Sequence, residues 1–356
     1  MDTTPDAPTA ASTNHPAPHA ALGDWDQLAL APADLTHEFV DLPHLEEIHR
    51  LSHIEVSRLQ ELWGASGAMV WELQATLSQV VAQVMDLERE HGPIDRQLLR
   101  RALEPLRWLL RKSPFVRRIQ AWPRGYPGDF ETVEMLLNGA SLEASGRWGA
   151  AIDQMALASP IVLQHHFKIR RQAEMVMQVS RTRRGAARIL VIASGGARDL
   201  LSIASHLRHS RDRVVLNDVD EDALTLAAER LRFLGDRLTV VKGNALKMRK
   251  SLALNGPYDL VMAGGLYDYL DAREASSLTR MIGRTLLEHD GTFFFTNIRK
   301  HHPFKIWMEG MCSWDLVERD ADECAELVEK AGLQPTEVTL DPTGLAYLIE
   351  ARATRG

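Results

Sequence analysis

The 356-residue chain has two cysteines, Cys312 and Cys324, and neither belongs to a C-x-x-C pair. So few thiols exclude a disulfide framework and suit a reducing cytoplasm. Helix-like sequence around each reads it as a small buried hydrophobe. No apolar run reaches the ~18 residues that a membrane span requires. Positive charge is not in excess: 41 Lys and Arg against 48 Asp and Glu leave a net charge of −7, which argues against a general nucleic-acid surface. There is no G-x-G-x-x-G run and no internal repeat. Residues 1–24 lack both the basic start and the apolar block of a secretory signal; rich in Pro, Ala, Thr and His, they read as a disordered tail.

What remains is an ordinary globular composition, 45% hydrophobic and 25% charged, with room for one large or two medium domains. Residues 25–184 read as helical, punctuated by Pro43, Gly64, Gly67, Gly92-Pro93, Pro114, Pro123 and Pro127. From Gly67 to His91, Val70, Leu73, Leu77, Val80, Val84 and Leu87 recur at steps of three and four, which predicts a helix with one apolar stripe in a bundle core. The same domain is where a homodimer would form. Ile94 to Lys112 reads as a further single helix with Leu98, Leu99, Leu103, Leu106, Leu109 and Leu110 inward. Ala121 to Glu134 has a different texture: two prolines and two glycines in seven residues fix an irregular loop carrying Arg124, Tyr126 and Asp129, the last placed to cap a following helix. Pro160 to Arg184 predicts a long amphipathic helix whose basic face (Lys168, Arg170, Arg171, Arg181, Arg183, Arg184) reads as solvated. The adjacent pairs His165-His166 and His301-His302 point apart on a helix and do not suggest a metal site.

From residue 185 to 356 strands and helices alternate. Buried runs at Ile189–Ala193, Val214–Asn217, Leu238–Lys242, Tyr258–Ala263 and Gly291–Asn297 each lead into helix-forming sequence. Asp271 with Glu274 forms a capping box. Strands near Thr336–Leu340 and Ala346–Ala351, joined by Asp341-Pro342-Thr343-Gly344, read as an antiparallel hairpin. The pattern predicts an α/β sheet with helices on both faces. Ligands bind such sheets at the carboxyl ends of the strands. There the first strand ends in Ser194, Gly195 and Gly196, small residues that admit close backbone approach. The second ends in Asp218, suited to chelating the two hydroxyls of a ribose; the third in Asn244 and Ala245, suited to an adenine edge; the fourth in Gly264 to Tyr269, beside the reactive end.

These strand ends in this order, followed by the hairpin, resemble the class I S-adenosylmethionine-dependent methyltransferase fold: a seven-stranded Rossmann-like sheet with a C-terminal antiparallel hairpin, here behind an N-terminal all-helical domain that would serve as lid or substrate domain. Gly125–Phe130, Gly265–Leu270, and Asn297 with Met308-Glu309 and Trp314 are similar to a bacterial subgroup that includes 3-hydroxypalmitate methyl ester synthase-like proteins and azetidine-2-carboxylate synthases. The resemblance implies S-adenosylmethionine as cofactor or sole substrate, no metal and a small-molecule substrate. It also implies cyclisation of S-adenosylmethionine itself, or methyl transfer to a carboxylate or hydroxyl. A cofactor-binding regulator without catalysis is the minor alternative. Tyr126, Asp129, Tyr267, Asp268 and Asn297 are the expected catalytic residues. Arg124, Ser194, Gly195, Gly196, Arg198, Asp199, Asp218, Asn244, Ala245 and Gly264 are the expected cofactor contacts, with Arg124 or Arg198 reading a carboxylate bidentately. One departure stands out: the family's first glycine is Ala193 here, and its Cβ would crowd whatever crosses the strand end.

Overall fold

The computed structural model describes residues 39, 42–62, 69–139 and 146–353. The tail expected over residues 1–24 lies outside them. The first half is helical: α1 (Pro43–Leu62), α2 (Met69–His91), α3 (Arg96–Ala102), α4 (Glu104–Leu110), α5 (Pro114–Ala121), α6 (Phe130–Asn138), α7 (Gly146–Leu157) and α8 (Pro160–Thr182). The stripe on α2 packs as expected, with Leu73, Leu77, Val80 and Val84 fully buried in the helical core. The single helix expected over Ile94–Lys112 is instead two, α3 and α4. Pro105, in the first turn of α4, has no N–H to continue the ladder, and the chain turns at Leu103. Its leucines still face inward, Leu98 only partly.

The second half holds β1 (Arg188–Ile192), α9 (Arg198–Ser202), α10 (Ala204–His209), β2 (Arg213–Asp218), α11 (Glu221–Arg230), β3 (Leu238–Lys242), α12 (Arg249–Leu254), β4 (Tyr258–Ala263), α13 (Ala272–Met281), β5 (Leu287–Ile298), α14 (Ala321–Glu329), β6 (Leu333–Leu340) and β7 (Ala346–Ala353). The strands form one sheet in the order β3-β2-β1-β4-β5-β7-β6. β1 to β5 run parallel, and β7 lies antiparallel between β5 and β6. Alternation along each strand splits the side chains between two layers. Leu190, Ile192, Val261, Phe293 and Phe295 enter one core, while Ile189, Val191, Leu260, Met262 and Phe294 enter the other. Asp271 and Glu274 form their capping box at α13. Cys312 and Cys324 are both buried, and burial pushes both thiols up to about 12. No described helix is long and apolar enough to cross a membrane.

Helix α8 belongs to both halves. Ile161 and Val162 sit in the helical core, while Ala173, Met175, Val176 and Val179 pack on the sheet. Its basic residues divide accordingly. Arg170, Arg181 and Arg184 are exposed, Arg171 pairs with Glu337 at 3.0 Å, and Lys168, expected on a solvated face, is buried. The segment after β5 crosses the other way: Ile306, Met308, Met311 and Trp314 join the helical core.

Candidate functional site

The strand order reverses between β1 and β4, and the carboxyl ends of the strands open there on a cleft of about 360 Å³. That lies within the ~300–1,000 Å³ of small-molecule sites. Its floor is the loop after β1, the end of β2 and the loop after β4. Its roof is the loop between α5 and α6, and its far wall is α8 with Trp314. Of the residues expected from the sequence, Tyr126, Ser194, Gly195, Gly196, Arg198, Asp199, Asp218, Gly264 and Asp268 line this one cleft.

The floor is pinned by Asp218. Its Oδ2 accepts the Gly195 N–H at 2.9 Å and its Oδ1 the Asp220 N–H at 3.0 Å, so the β1 and β2 loops are held together while the carboxylate keeps lone pairs for a ligand. Ser194 Oγ is buried and has no hydrogen-bond partner among the described residues. Burial pushes the Asp199 carboxyl up to about 6; Gln172 Nε2 donates to it at 3.1 Å. Burial likewise lifts Asp268 to about 6, opposed by nearby Lys168 and by the Ile298 N–H, which donates at 2.7 Å. Burial also raises Asp218. Three desolvated acids on one cleft favour a ligand that carries positive charge.

A helix follows the floor loop as expected, but it is short. α9 has five residues and breaks at Ile203, so it supplies no sustained dipole; backbone amides and side chains carry the floor. Ala193, at the position of the missing glycine, takes φ 52° in the left-handed region and lines the cleft. A left-handed alanine costs about 1–2 kcal/mol, partly offset by glycine's greater freedom in the unfolded chain. Ala193→Gly is therefore expected to stabilise the protein by up to about 1 kcal/mol, read as a higher urea midpoint at unchanged slope. A lower midpoint would mean that the methyl group packs favourably.

Ion pairs hold the roof on the floor. Glu134 of α6 accepts from Arg230 Nη1 at 2.6 Å and Arg198 Nε at 2.9 Å. Burial would raise the Glu134 carboxyl, but the two guanidiniums hold it below the usual range. Arg124 reaches Glu131 at 2.7 Å, Asp220 at 2.8 Å and Asp222 at 2.9 Å, and stacks over Phe130. Its place is this latch, outside the cleft lining.

Five other expected residues also stay out of the cleft. Asp129 caps α6 through the Thr132 N–H at 3.0 Å and accepts from Arg118 at 2.7 Å. Tyr267 is fully buried, bonded to Thr279 at 2.8 Å and packed on Phe295; burial raises its hydroxyl pKa. Asn297 accepts from Arg319 at 2.6 Å and donates to Val317 O at 2.8 Å, a buried clamp on the loop after β4. Asn244 turns its Oδ1 back onto the Leu246 N–H at 3.0 Å, and Ala245 is buried in the sheet core. Local hydrogen bonds engage the Asp129, Tyr267 and Asn297 side chains and the Asn244 oxygen.

The sequence reading named the Gly264–Tyr269 loop and Trp314 but missed the α8 part of the far wall. His165, Lys168 and Gln172 of α8 line the cleft, as do Tyr269 and Trp314, whose Nε1 donates to Tyr269 Oη at 2.9 Å. The signal was present: Ile161, His165, Lys168 and Gln172 follow at steps of four, three and four, one face of a helix. Burial, with Lys168 and His166 nearby, pushes His165 well below the usual imidazole range, so it is neutral. Burial raises Tyr126 to about 12, with Asp218 adding to it. Among the described residues, no group of three or more His, Cys, Asp or Glu is arranged to hold a metal ion.

The Asp199 carboxyl gives a pH-dependence. Because its folded pKa of about 6 lies above the ordinary 3.8, the folded state binds the proton more tightly. Its contribution to stability is thus complete below about pH 4 and is lost as the pH rises through 6. Asp199→Asn removes that loss and keeps an acceptor for Gln172. With one mismatched donor at every pH, the variant should fall about 1 kcal/mol below the parent at pH 4 and exceed it by roughly 2 kcal/mol at pH 8. Parallel stability–pH curves would refute the assignment.

The sheet order with its antiparallel β7, and a cleft at the β1/β4 switch point, define the Rossmann-like methyltransferase fold. The chain belongs to the family described as "Putative methyltransferase", whose profile matches residues 141–352. No curated protein matches it. Among solved structures, one similar to this chain is described as a possible exported protein from Bordetella parapertussis: TM-score 0.55 at 17% identity, over 80% of this chain and 97% of that one. Magnesium protoporphyrin IX methyltransferase from Synechocystis has a TM-score of 0.44 at 13% identity, over 55% and 86%. The N-methyltransferase NodS from Bradyrhizobium japonicum has 0.41 at 14%, over 52% and 87%.

Proposed function

We propose that the protein is an S-adenosylmethionine-dependent enzyme that methylates a carboxylate or hydroxyl of a small metabolite. The observation that carries this reading is Asp218, a strand-end carboxylate braced on the Gly195 amide at the switch point, in a chain of this family. The residues present fit such a ligand. Asp218 keeps lone pairs for the ribose hydroxyls, partnerless Ser194 Oγ offers a further hydrogen bond, and the three buried acids favour its positive charges. When bound, the sulfonium supplies an electrophilic carbon. Tyr126, Tyr269 and Trp314 offer ring faces to a cation and exclude water from it. Beyond this wall the helical core leaves a nook of about 20 Å³, near the volume one water needs, so a small acceptor fits better than a long chain.

A second reading is cyclisation of S-adenosylmethionine to azetidine-2-carboxylate and methylthioadenosine. Asp199 and Asp268, lifted to about 6, favour it, because both lie in the cleft with a basicity suited to accepting an amine proton near neutral pH. Incubating the purified protein with S-adenosylmethionine alone separates the two. Methylthioadenosine with a cyclic amino acid supports cyclisation. S-adenosylhomocysteine formed only when candidate acceptors are added supports methyl transfer. Binding without turnover under either condition would overturn both and leave a regulatory cofactor-binding role.

A further inference from the structure

Lys168 sits on the cleft wall beside Gly265, yet is only 9% exposed. Arg107 and Arg319, the other buried Lys or Arg side chains among the described residues, are fully engaged. Arg107 donates to Gly310 O at 2.6 Å and Ser313 at 2.9 Å; Arg319 donates to Tyr267 O at 2.7 Å and Asn297 at 2.6 Å. Lys168 differs: with the described residues it forms no ion pair and no hydrogen bond. Asp268 and Asp341 attract it, but neither pairs with it, and each accepts backbone N–H groups. Asp268 accepts the Ile298 N–H, and Asp341 accepts the Leu345 and Ala346 N–H groups at 2.9 and 3.0 Å. His165 beside it is neutral, and Gln172 is spent on Asp199. Burial lowers the Lys168 pKa, and the attraction of Asp268 and Asp341 only partly opposes it.

A desolvated, unpaired ammonium on the wall of a ligand cleft favours an anion from the ligand. The cleft selects which kind. Asp199, Asp218 and Asp268 share it with Lys168, while Arg198 is paired with Glu134, so a doubly charged phosphate meets three acids beside this ammonium, whereas a carboxylate carries a single charge. We propose that Lys168 binds a carboxylate of the ligand held in this cleft. The proposal rests on the S-adenosylmethionine reading above, which offers two sources: the α-carboxylate of the cofactor, or a carboxylate of the acceptor.

Calorimetric titration of wild type and Lys168→Met with S-adenosylhomocysteine and with methylthioadenosine, which lacks the amino-acid end, tests it. If the cofactor's carboxylate is bound, the variant loses at least about tenfold in affinity for S-adenosylhomocysteine and keeps its affinity for methylthioadenosine. If the acceptor's is bound, both affinities hold. Acetate, butyrate or hexanoate titrated into the S-adenosylhomocysteine-saturated protein then shifts the Lys168 Nζ resonance in wild type, and the variant loses that binding. Lys168→Arg, which keeps the charge, should restore most of either effect. Lys168→Gln repeats the test should methionine compromise folding. Unchanged S-adenosylhomocysteine affinity together with no carboxylate binding overturns the proposal. A wild type that binds neither nucleoside overturns the cofactor reading instead.

Discussion

Asp218→Ala is expected to weaken binding of S-adenosylmethionine and S-adenosylhomocysteine by about 100-fold or more. Two hydrogen bonds from ribose hydroxyls to one carboxylate are worth about 1.5–3 kcal/mol each, so their joint loss spans roughly 10²–10⁴ in Kd. The alanine also frees the Gly195 and Asp220 amides, which the two carboxylate oxygens now hold. Asp218→Asn separates the contributions. It preserves volume and one acceptor, but turns an N–H toward either an amide or a hydroxyl. Its loss should be intermediate, with a melting temperature near that of the parent. Calorimetry with S-adenosylhomocysteine provides the measurement. An alanine variant that is folded and binds normally would place the ligand away from the second strand end.

Gly128→Ala should be the most damaging single methyl in the roof, costing about 2–5 kcal/mol. Gly128 has φ 67°, where a Cβ costs about 1–2 kcal/mol. That Cβ would also lie 2.7 Å from Trp314 Cζ2, and closer still to Tyr269 Oη, forcing an overpacked contact worth about 1–3 kcal/mol more. The roof touches the aromatic wall at this point, so relief of the clash must part Tyr269 from Trp314. Loss of stability should therefore come with loss of ligand affinity. Gly125 is the control: it has φ 83° but nothing within 4 Å of its Cβ, so Gly125→Ala pays the conformational term alone. Equal costs for the two substitutions would show that the contact is absorbed without strain.

The fold was largely legible because its signals are local. Alternating cores, capping residues such as Asp271, and turns place five parallel strands and a hairpin without tertiary knowledge. The floor was legible for the same reason, since small residues and acids at strand ends are fixed by the sheet. The walls were not. Asp129, Tyr267 and Asn297 have the right chemistry for a site, but a cap, a hydroxyl partner and an arginine 22 residues away claim them. Lys168 read as solvent-facing because five arginines follow it within sixteen residues; only the packing of α8 against both halves buries it. Sequence periodicity reports which face of a helix is apolar, not which polar residue on its border is covered.

The place of β7 has a consequence for synthesis. β5 carries Phe293, Phe294 and Phe295 through the middle of the sheet, and one of its two edges is completed only by β7, which follows it in the chain by nearly fifty residues. While a ribosome makes that interval, a flat aromatic strand presents unpaired amides and carbonyls, the template on which nascent chains pair with one another. Shortening the chain before Ala346 should thus send the protein into inclusion bodies rather than merely lower its melting point, and slow translation across residues 299–345 should lower the soluble yield.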